Sequence, residues 1–407
     1  MPLKKTLEKF ALLERAKLIS STKKLFQFTD EPHFFQYSCS YSKEDYDEDN
    51  GGVALDIDKE KAMIRAMGEC VERYCLEKAP KNLLVDSFYN LQSRALNPGR
   101  FINFRKEDIG KDLRGYLEKL SRTPLTWVEG LDMITKDKIL IPAQLVYVPF
   151  DNNEPMIRPQ ISTGAAAHEN LEQAIINGTL EVIERDSFML KYLSRDKLPI
   201  VKLGGKLKEL ENYFKRYQLE LRIFETTTDI NIPSIMCVNI DRTGEGPAIS
   251  IGLATKFSQE DAILRAIIES QQVRQWIRHS YIVDEMPLVK KPFEIKSIKD
   301  RGYYWYPLEK INDLNFLQGD QISFSKGKKE KSSVKNLTAL LRSKNIGFYA
   351  VDITTPQIRN AGFNVVKTVL PELHPLFLYE DYPCLYSKRL EENLKGREIN
   401  LDPHPFM

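Results

Sequence analysis

Three stretches of this chain follow one pattern, Gly-x-Ala-x7-Ala-x6-Glu-x2-(Glu or Gln). The first uses Gly52, Ala54, Ala62, Glu69 and Glu72, and the second Gly164, Ala166, Ala174, Glu181 and Glu184. The third uses Gly252, Ala254, Ala262, Glu269 and Gln272. Spacing is identical within the copies and unequal between them. A solenoid needs a short, regular period, so the pattern fits one unit reused at three places around a common centre. On a helix, residues three and four apart share a face. Glu69 with Glu72, and Glu181 with Glu184, therefore each present two carboxylates side by side, and Arg73 and Arg185 follow four residues after the first glutamate of each pair.

Composition removes several alternatives. The 407 residues carry 59 basic and 57 acidic side chains, a net charge of +2, which gives no field for nucleic acid or an anionic membrane. No apolar run is long enough to span a bilayer. The opening MPLKKTLEKFALLERAKLIS is amphipathic and charged throughout, unlike a signal peptide. Five scattered cysteines without CxxC spacing (Cys39, Cys70, Cys75, Cys237, Cys384) read as reduced, buried thiols of a cytoplasmic protein. The five histidines form no HxxxH or HExxH pair, so a zinc site is not expected.

The coarse organisation is mixed α/β. A helix is expected to about residue 20, then strand-like text at LFQFTDEPHFFQYSCSYS. The repeat helices are expected at about 58–77, 170–192 and 258–279. Short Ile- and Val-rich runs, ILIPAQLVYVPF (139–150), IPSIMCVNI (232–240), IGFYAVDIT and NVVKTVLP, read as strands. SKGKKEKSSVKN (325–336) reads as a surface loop inside a domain. Pro403 and Pro405 favour an extended tail.

A Glu-to-Arg pair at i,i+4 is ordinarily a helix stabiliser of about 0.2–0.5 kcal/mol. Three helices with the same glycine and alanine offsets call for more. Adjacent carboxylates repel unless a cation joins them. Hard oxygen ligands suit Mg²⁺, which brings nucleotide phosphates with it, and neighbouring arginines can hold phosphate oxygens bidentately. Gly-x-Ala removes side chains where backbone must come close, which suits a strand-to-helix turn facing a ligand. The physical reading is a Mg-nucleotide site without GxxxxGK[ST] or GxGxxG.

The second copy, STGAAAHENLEQAIINGTLEVIERDSF, resembles the signature segment of the YcaO family. GGVALDIDKEKAMIRAMGECVERY is similar to that family's other glutamate helix, and ESQQVR to its third. The likeness runs from about residue 50 to the C-terminus. Within the family, DITTPQIRNAGFNVVKTVLPELHPLF and LDPHPFM look most like the D proteins of streptolysin-type thiazole/oxazole maturation.

The resemblance implies an α/β YcaO-like fold, with three glutamate-bearing helices around a central nucleotide site. It divides the chain into an N-terminal extension (1–50), a catalytic domain (51–390) and a proline-containing tail reaching the active site (391–407). It implies ATP and Mg²⁺ as cofactors and cyclodehydration as the activity. A Cys, Ser or Thr of a ribosomally made precursor peptide attacks the preceding carbonyl. The amide oxygen is phosphorylated and leaves, giving an azoline ring. Carried over, Glu69, Glu72, Glu181 and Glu184 are metal ligands. Together with Arg73, Arg185, Glu269, Gln272 and Arg274 they form the cofactor-binding set, with Arg274 touching phosphate. Pro403, Pro405 and the Met407 carboxylate orient or deprotonate the nucleophile, and nucleotide binding is expected to survive loss of the tail.

Three positions depart from the family pattern: Gln173 stands where glutamate is common, Gly51-Gly52-Val53 replaces GKG, and the ending is PHPFM rather than Pro-x-Pro-x-Pro. The first 50 residues are too few for a leader-binding module, so a separate C-type partner is expected to deliver the peptide. A flavin dehydrogenase in the complex, and a homodimer, stay open as companions. Thioamidation, macroamidine closure, a non-catalytic scaffold and an unrelated nucleotide-independent α/β protein also stay open.

Overall fold

Each copy of the pattern folds as a strand followed by a helix, and in the first and third copies that helix packs back on its own strand. In the computed structural model, which describes residues 2–41, 51–105, 112–150, 153–284, 288–325 and 333–407, the strands are Gly51–Asp56, Ala165–His168 and Ile249–Thr255. Their helices are Lys59–Leu76, Leu171–Leu193 and Gln259–Asp284, here the first, second and third repeat helices. Six residues after each pattern glycine stands a capping side chain. Asp58 accepts from the Lys61 N–H (3.1 Å), Asn170 from Gln173 (3.1 Å) and Ser258 from Asp261 (3.3 Å). Such caps satisfy one of the donors left open in a first helical turn, typically contributing about 1 kcal/mol.

The glycines explain the close packing. A Cβ on Gly52 would lie 2.1 Å from the Ala66 carbonyl oxygen, and one on Gly252 2.2 Å from that of Ala266. Gly164, at φ +94°, lies so near its neighbouring strand that a Cβ would meet the Thr368 carbonyl oxygen at 2.4 Å. The pattern glycines thus stand where backbone comes close, as the sequence suggested. What approaches them is the chain's own backbone, a repeat helix in the first and third copies and the Thr368 strand in the second. Ala62, Ala66, Ala174, Ala262 and Ala266 are fully buried in the same packing.

Two compact units result. The first comprises Met1–Phe26, Phe34–Val182 and Ser332–Leu373, and the second Gln27–His33, Ile183–Lys331 and His374–Met407. The second repeat helix crosses from one to the other between Val182 and Ile183.

The first unit holds a three-stranded antiparallel sheet containing Phe35–Ser40 and Gly51–Asp56. Its six-stranded sheet runs Leu84–Ser87, Pro124–Asp132, Tyr349–Asp352, Asn364–Val369, Ala165–His168, with Lys138–Pro142 also paired to Pro124–Asp132. The N-terminal helix Pro2–Arg15 contributes Phe10, stacked on Phe363 at 4.4 Å, to a core shared with Ala66, Cys70 and Val71. Each such large apolar side chain contributes on the order of 1.5–3 kcal/mol by leaving water. Trp127 is buried there and donates its indole N–H to the Asp86 carbonyl at 2.8 Å.

The second unit holds a five-stranded sheet ordered Ile249–Thr255, Ser234–Asp241, Leu219–Glu225, Leu198–Lys202, Gln318–Ser323, the last pair parallel. Every residue of Ser234–Asp241 and Ile249–Thr255 is buried, and the third repeat helix packs on these two strands. Burial on both faces is why neither strand alternates apolar with exposed polar residues.

Some elements differ from expectation. The run 139–150 is a strand only over Lys138–Pro142, because Pro142 has no N–H to continue the ladder, and Ala143–Leu145 turns as a 3₁₀ helix. The N-terminal helix stops at Arg15. The stretch before residue 35 yields only the short strand Lys23–Lys24. The loop expected at 325–336 lies largely outside the described residues, and its last residues begin the helix Val334–Ser343, capped by Ser333.

Candidate functional site

In the first unit, the first repeat helix brings Glu69, Glu72 and Arg73 to one surface. Glu69 accepts the Val53 N–H through Oε2 at 3.0 Å and the Arg73 guanidinium through Oε1 at 2.8 Å. Glu181, on the second helix, lies 3.4 Å from the Gly164 N–H. Burial raises the Glu69 carboxyl above its ordinary range. Glu72 is pushed well above that range, by burial first and then by the charges of Glu181 and Glu69. Arg73 and Lys367 oppose this shift.

Lys367 is the residue that sequence reasoning missed. It is buried, and its Nζ donates to the Ile161 carbonyl at 2.7 Å. Burial lowers its pKa to about 7, Arg158 adds to the lowering, and Glu181 and Glu72 resist it. A lysine inside the apolar run Val365–Val369 was the available signal, since lysine is almost never fully buried without a partner.

In the second unit, Glu184 accepts the Thr255 N–H at 2.7 Å through one oxygen and the Arg185 guanidinium at 2.9 Å through the other. Both side chains are nearly buried, 12 % and 11 % exposed. Glu269 accepts the Leu253 N–H at 2.7 Å. The first glutamate of each copy thus meets a strand N–H at its own glycine: Val53, Gly164 and Leu253. This recurring latch is one physical reason for the fixed spacing. Gln272 lies one turn on, half-buried. Asp186, which completes the Glu-Arg-Asp run, is buried and structural, taking Arg389 and the His374 N–H.

Arg274 stands apart from this set. It is 3 % exposed, with Nε on Glu31 (2.9 Å), Nη2 on Asp241 (2.8 Å) and Nη1 on the Pro247 carbonyl (3.1 Å). In this structure all three of its guanidinium nitrogens are taken by protein oxygens. Glu31, fully buried between Arg274 and Arg278, carried no signal in the pattern.

The tail is extended and packed. The Pro403 carbonyl accepts from the Tyr192 hydroxyl at 2.9 Å, and the His404 carbonyl from Arg301 at 3.0 Å. The Phe406 ring centroid lies 4.2 Å from Arg185 Cζ. Pro405 is buried and Met407 half-buried. His404 is buried with Nε2 on the Phe377 carbonyl at 2.6 Å, and burial holds it neutral. His168 stands just before the second helix, its Nδ1 accepting the N–H of the cap residue Asn170 at 2.9 Å. Trp305 is buried, and Trp276 is half-buried beside the Ile277–Tyr303 cluster.

Among the described residues, no three His, Cys, Asp or Glu side chains are grouped so as to hold a metal by themselves. Mg²⁺ seldom uses such a cage; it takes one or two carboxylates together with nucleotide phosphates and water. Glu69 and Glu72 on one helix surface, with Glu181 close enough to act electrostatically on Glu72, offer carboxylates of the kind that requirement calls for.

A family profile described as YcaO cyclodehydratase, ATP- and Mg²⁺-binding, matches residues 56–374. This chain belongs to the YcaO family. ATP and Mg²⁺ are the cofactors that come with that membership. A solved heterocyclase in complex with substrate and cofactor superposes with a TM-score of 0.77 at 17 % identity, covering 98 % of this chain. This chain spans 57 % of that heterocyclase. YcaO from Methanopyrus kandleri, bound with AMPPCP and Mg²⁺, gives 0.65 at 20 % identity and covers 92 % of each chain. An uncharacterized protein of Methanothermobacter thermautotrophicus is 24 % identical over 331 residues, 77 % of this chain and 79 % of that one. The YcaO-like mixed α/β fold implied by the resemblance is the fold observed. Among the described residues, no helix is long and apolar enough to cross a membrane.

Proposed function

We propose that this YcaO protein is the ATP-dependent cyclodehydratase subunit of a peptide-maturation system. It converts Cys, Ser or Thr of a ribosomally made precursor into thiazoline or oxazoline rings in the cytoplasm. The observation that carries the reading is the match to an ATP- and Mg²⁺-binding cyclodehydratase family over residues 56–374, on a chain whose repeat helices carry Glu69, Glu72, Glu181 and Glu184.

Glu69, Glu72, Glu181 and Glu184 are the proposed Mg²⁺ ligands, with Glu69 and Glu181 sharing that role with their strand latches. Arg73 and Arg185 hold phosphate oxygens, and Glu269 and Gln272 line the nucleotide. Bound ATP supplies the phosphoryl group that turns a poor leaving group, amide oxygen, into phosphate. The chain's own task is positioning and charge neutralisation. Pro403, Pro405 and the Met407 carboxylate are proposed to orient the attacking side chain and accept its proton. A separate leader-binding C-type protein presents the peptide, and a flavin dehydrogenase would act on the product. The heterocyclase and microcin synthetase complexes that share this fold support such an assembly.

The test is to incubate the purified chain with Mg-ATP, a candidate precursor peptide from the same locus and its partner protein. The peptide is expected to lose the mass of one water per ring, with stoichiometric phosphate release. Exchange of oxygen for sulfur without loss of water would replace this reading with thioamidation.

A further inference from the structure

We infer that Phe406 is a positioning residue for Arg185, so that nucleotide affinity depends on the C-terminal tail. The inference rests on the proposed role of Arg185 as a phosphate contact and deepens it. Arg185 lies between two groups of the second unit: Nη1 meets Glu184 at 2.9 Å, and the guanidinium sits over the Phe406 ring at 4.2 Å. A guanidinium stacked on an aromatic face has its plane fixed, while its N–H donors point outward along the edge, where planar acceptors bind. Glu184 and Phe406 therefore fix orientation in two different ways, one along the edge and one across the face.

Phe406 is itself held. It is 2 % exposed and packs on Phe188 at 5.9 Å. Upstream, Tyr192 and Arg301 grip the carbonyls of Pro403 and His404. Arg301 is fully buried and also donates to the Leu378 carbonyl at 2.6 Å and pairs with Glu380 at 2.8 Å. Pro405 restricts φ between this grip and Phe406. Downstream, Met407 packs where a Cβ on Gly302 would come within 2.9 Å of its sulfur. The tail thus presents one aromatic face from a rigid support. This differs from a tail that serves the nucleophile alone, whose loss would leave nucleotide binding untouched.

The experiment is calorimetric titration of the full chain with Mg²⁺ and a non-hydrolysable ATP analogue. It compares wild type, Phe406→Leu, Phe406→Tyr, Arg185→Lys and the Phe406→Leu/Arg185→Lys double variant, each checked for an unchanged unfolding profile. Phe406→Leu keeps an apolar side chain of similar bulk and removes the ring. Its affinity is expected to fall about three- to tenfold, within the range of cation–π contacts, while Phe406→Tyr stays within about twofold of wild type. In the Arg185→Lys background the leucine substitution should cost clearly less than it does beside arginine, because an ammonium on the ring has no plane for the ring to orient. Wild-type affinity in Phe406→Leu, or an equal loss in both backgrounds, overturns the inference while leaving the nucleotide reading intact. A wild type that binds no nucleotide overturns that reading and the inference with it. Should Phe406→Leu fail to fold, pentafluorophenylalanine at 406 keeps the shape and reverses the ring's quadrupole. The same loss of affinity is expected, and no loss overturns the inference.

Discussion

The Glu184 carboxylate accepts the Thr255 backbone N–H at 2.7 Å, tying the second repeat helix to the strand of the third repeat. Two copies of the pattern are thereby joined by one of its own glutamates. The same group has its other oxygen on Arg185, so a single side chain serves the fold and the proposed site.

The glycines of the pattern make a stability prediction. Gly52→Ala and Gly252→Ala each place a methyl within about 2 Å of a helix carbonyl oxygen, and overpacking of this kind typically costs 1–3 kcal/mol or more. Urea unfolding should show a clear loss in both. Gly204→Ala, where a Cβ meets nothing within 4 Å, should change stability by under about 1 kcal/mol. Equal tolerance at all three positions would contradict the packing described.

Lys367 predicts a pH dependence. Its folded pKa is lowered to about 7 from 10.5, so between these values the unfolded chain binds one more proton than the folded one. Stability should therefore rise with pH across that window from this group, and the penalty of burying the charge is fully present below about pH 7. Chemical denaturation at pH 7, 8, 9 and 10 of wild type and Lys367→Met measures it. The variant's profile should be flatter. Parallel profiles would place the lysine in a different environment.

How much of this was legible beforehand is best judged residue by residue. The three repeat helices were found to within a few residues because caps, alanine spacing and glutamate pairs agree on one period. The latch from Glu69 to Val53 was not, since a hydrogen bond to a strand leaves no mark on the helix pattern. Arg274 was expected at phosphate only through the resemblance to the family. Its partners, Glu31 and Asp241, come from segments distant in sequence. Lys367 escaped because strand periodicity reports faces and not charges.

Arg301 is the anchor of the tail. Arg301→Met removes three partners and leaves Glu380, 15 % exposed, without its guanidinium. Breaking a buried pair by deleting one member costs about 3–5 kcal/mol. Carboxypeptidase should then trim the C-terminus faster than in wild type. Unchanged trimming would mean that the tail is held elsewhere.

The five cysteines are buried and unpaired as disulfides. Burial raises the Cys75 thiol to about 11 and Cys237 to about 12. A thiol reagent at neutral pH should label none in the folded chain within minutes and all five after unfolding. Rapid labelling of any one before unfolding would show a thiol outside the core.

The central claim is that the repeat carboxylates hold Mg-nucleotide. Its most direct test is calorimetric titration of the purified chain with Mg²⁺ and a non-hydrolysable ATP analogue, beside Glu72→Gln and Glu184→Gln. Saturable one-site binding in wild type, weakened at least tenfold in both variants with unfolding profiles preserved, is the predicted result. Absence of binding in wild type, or wild-type affinity in either variant, would contradict it.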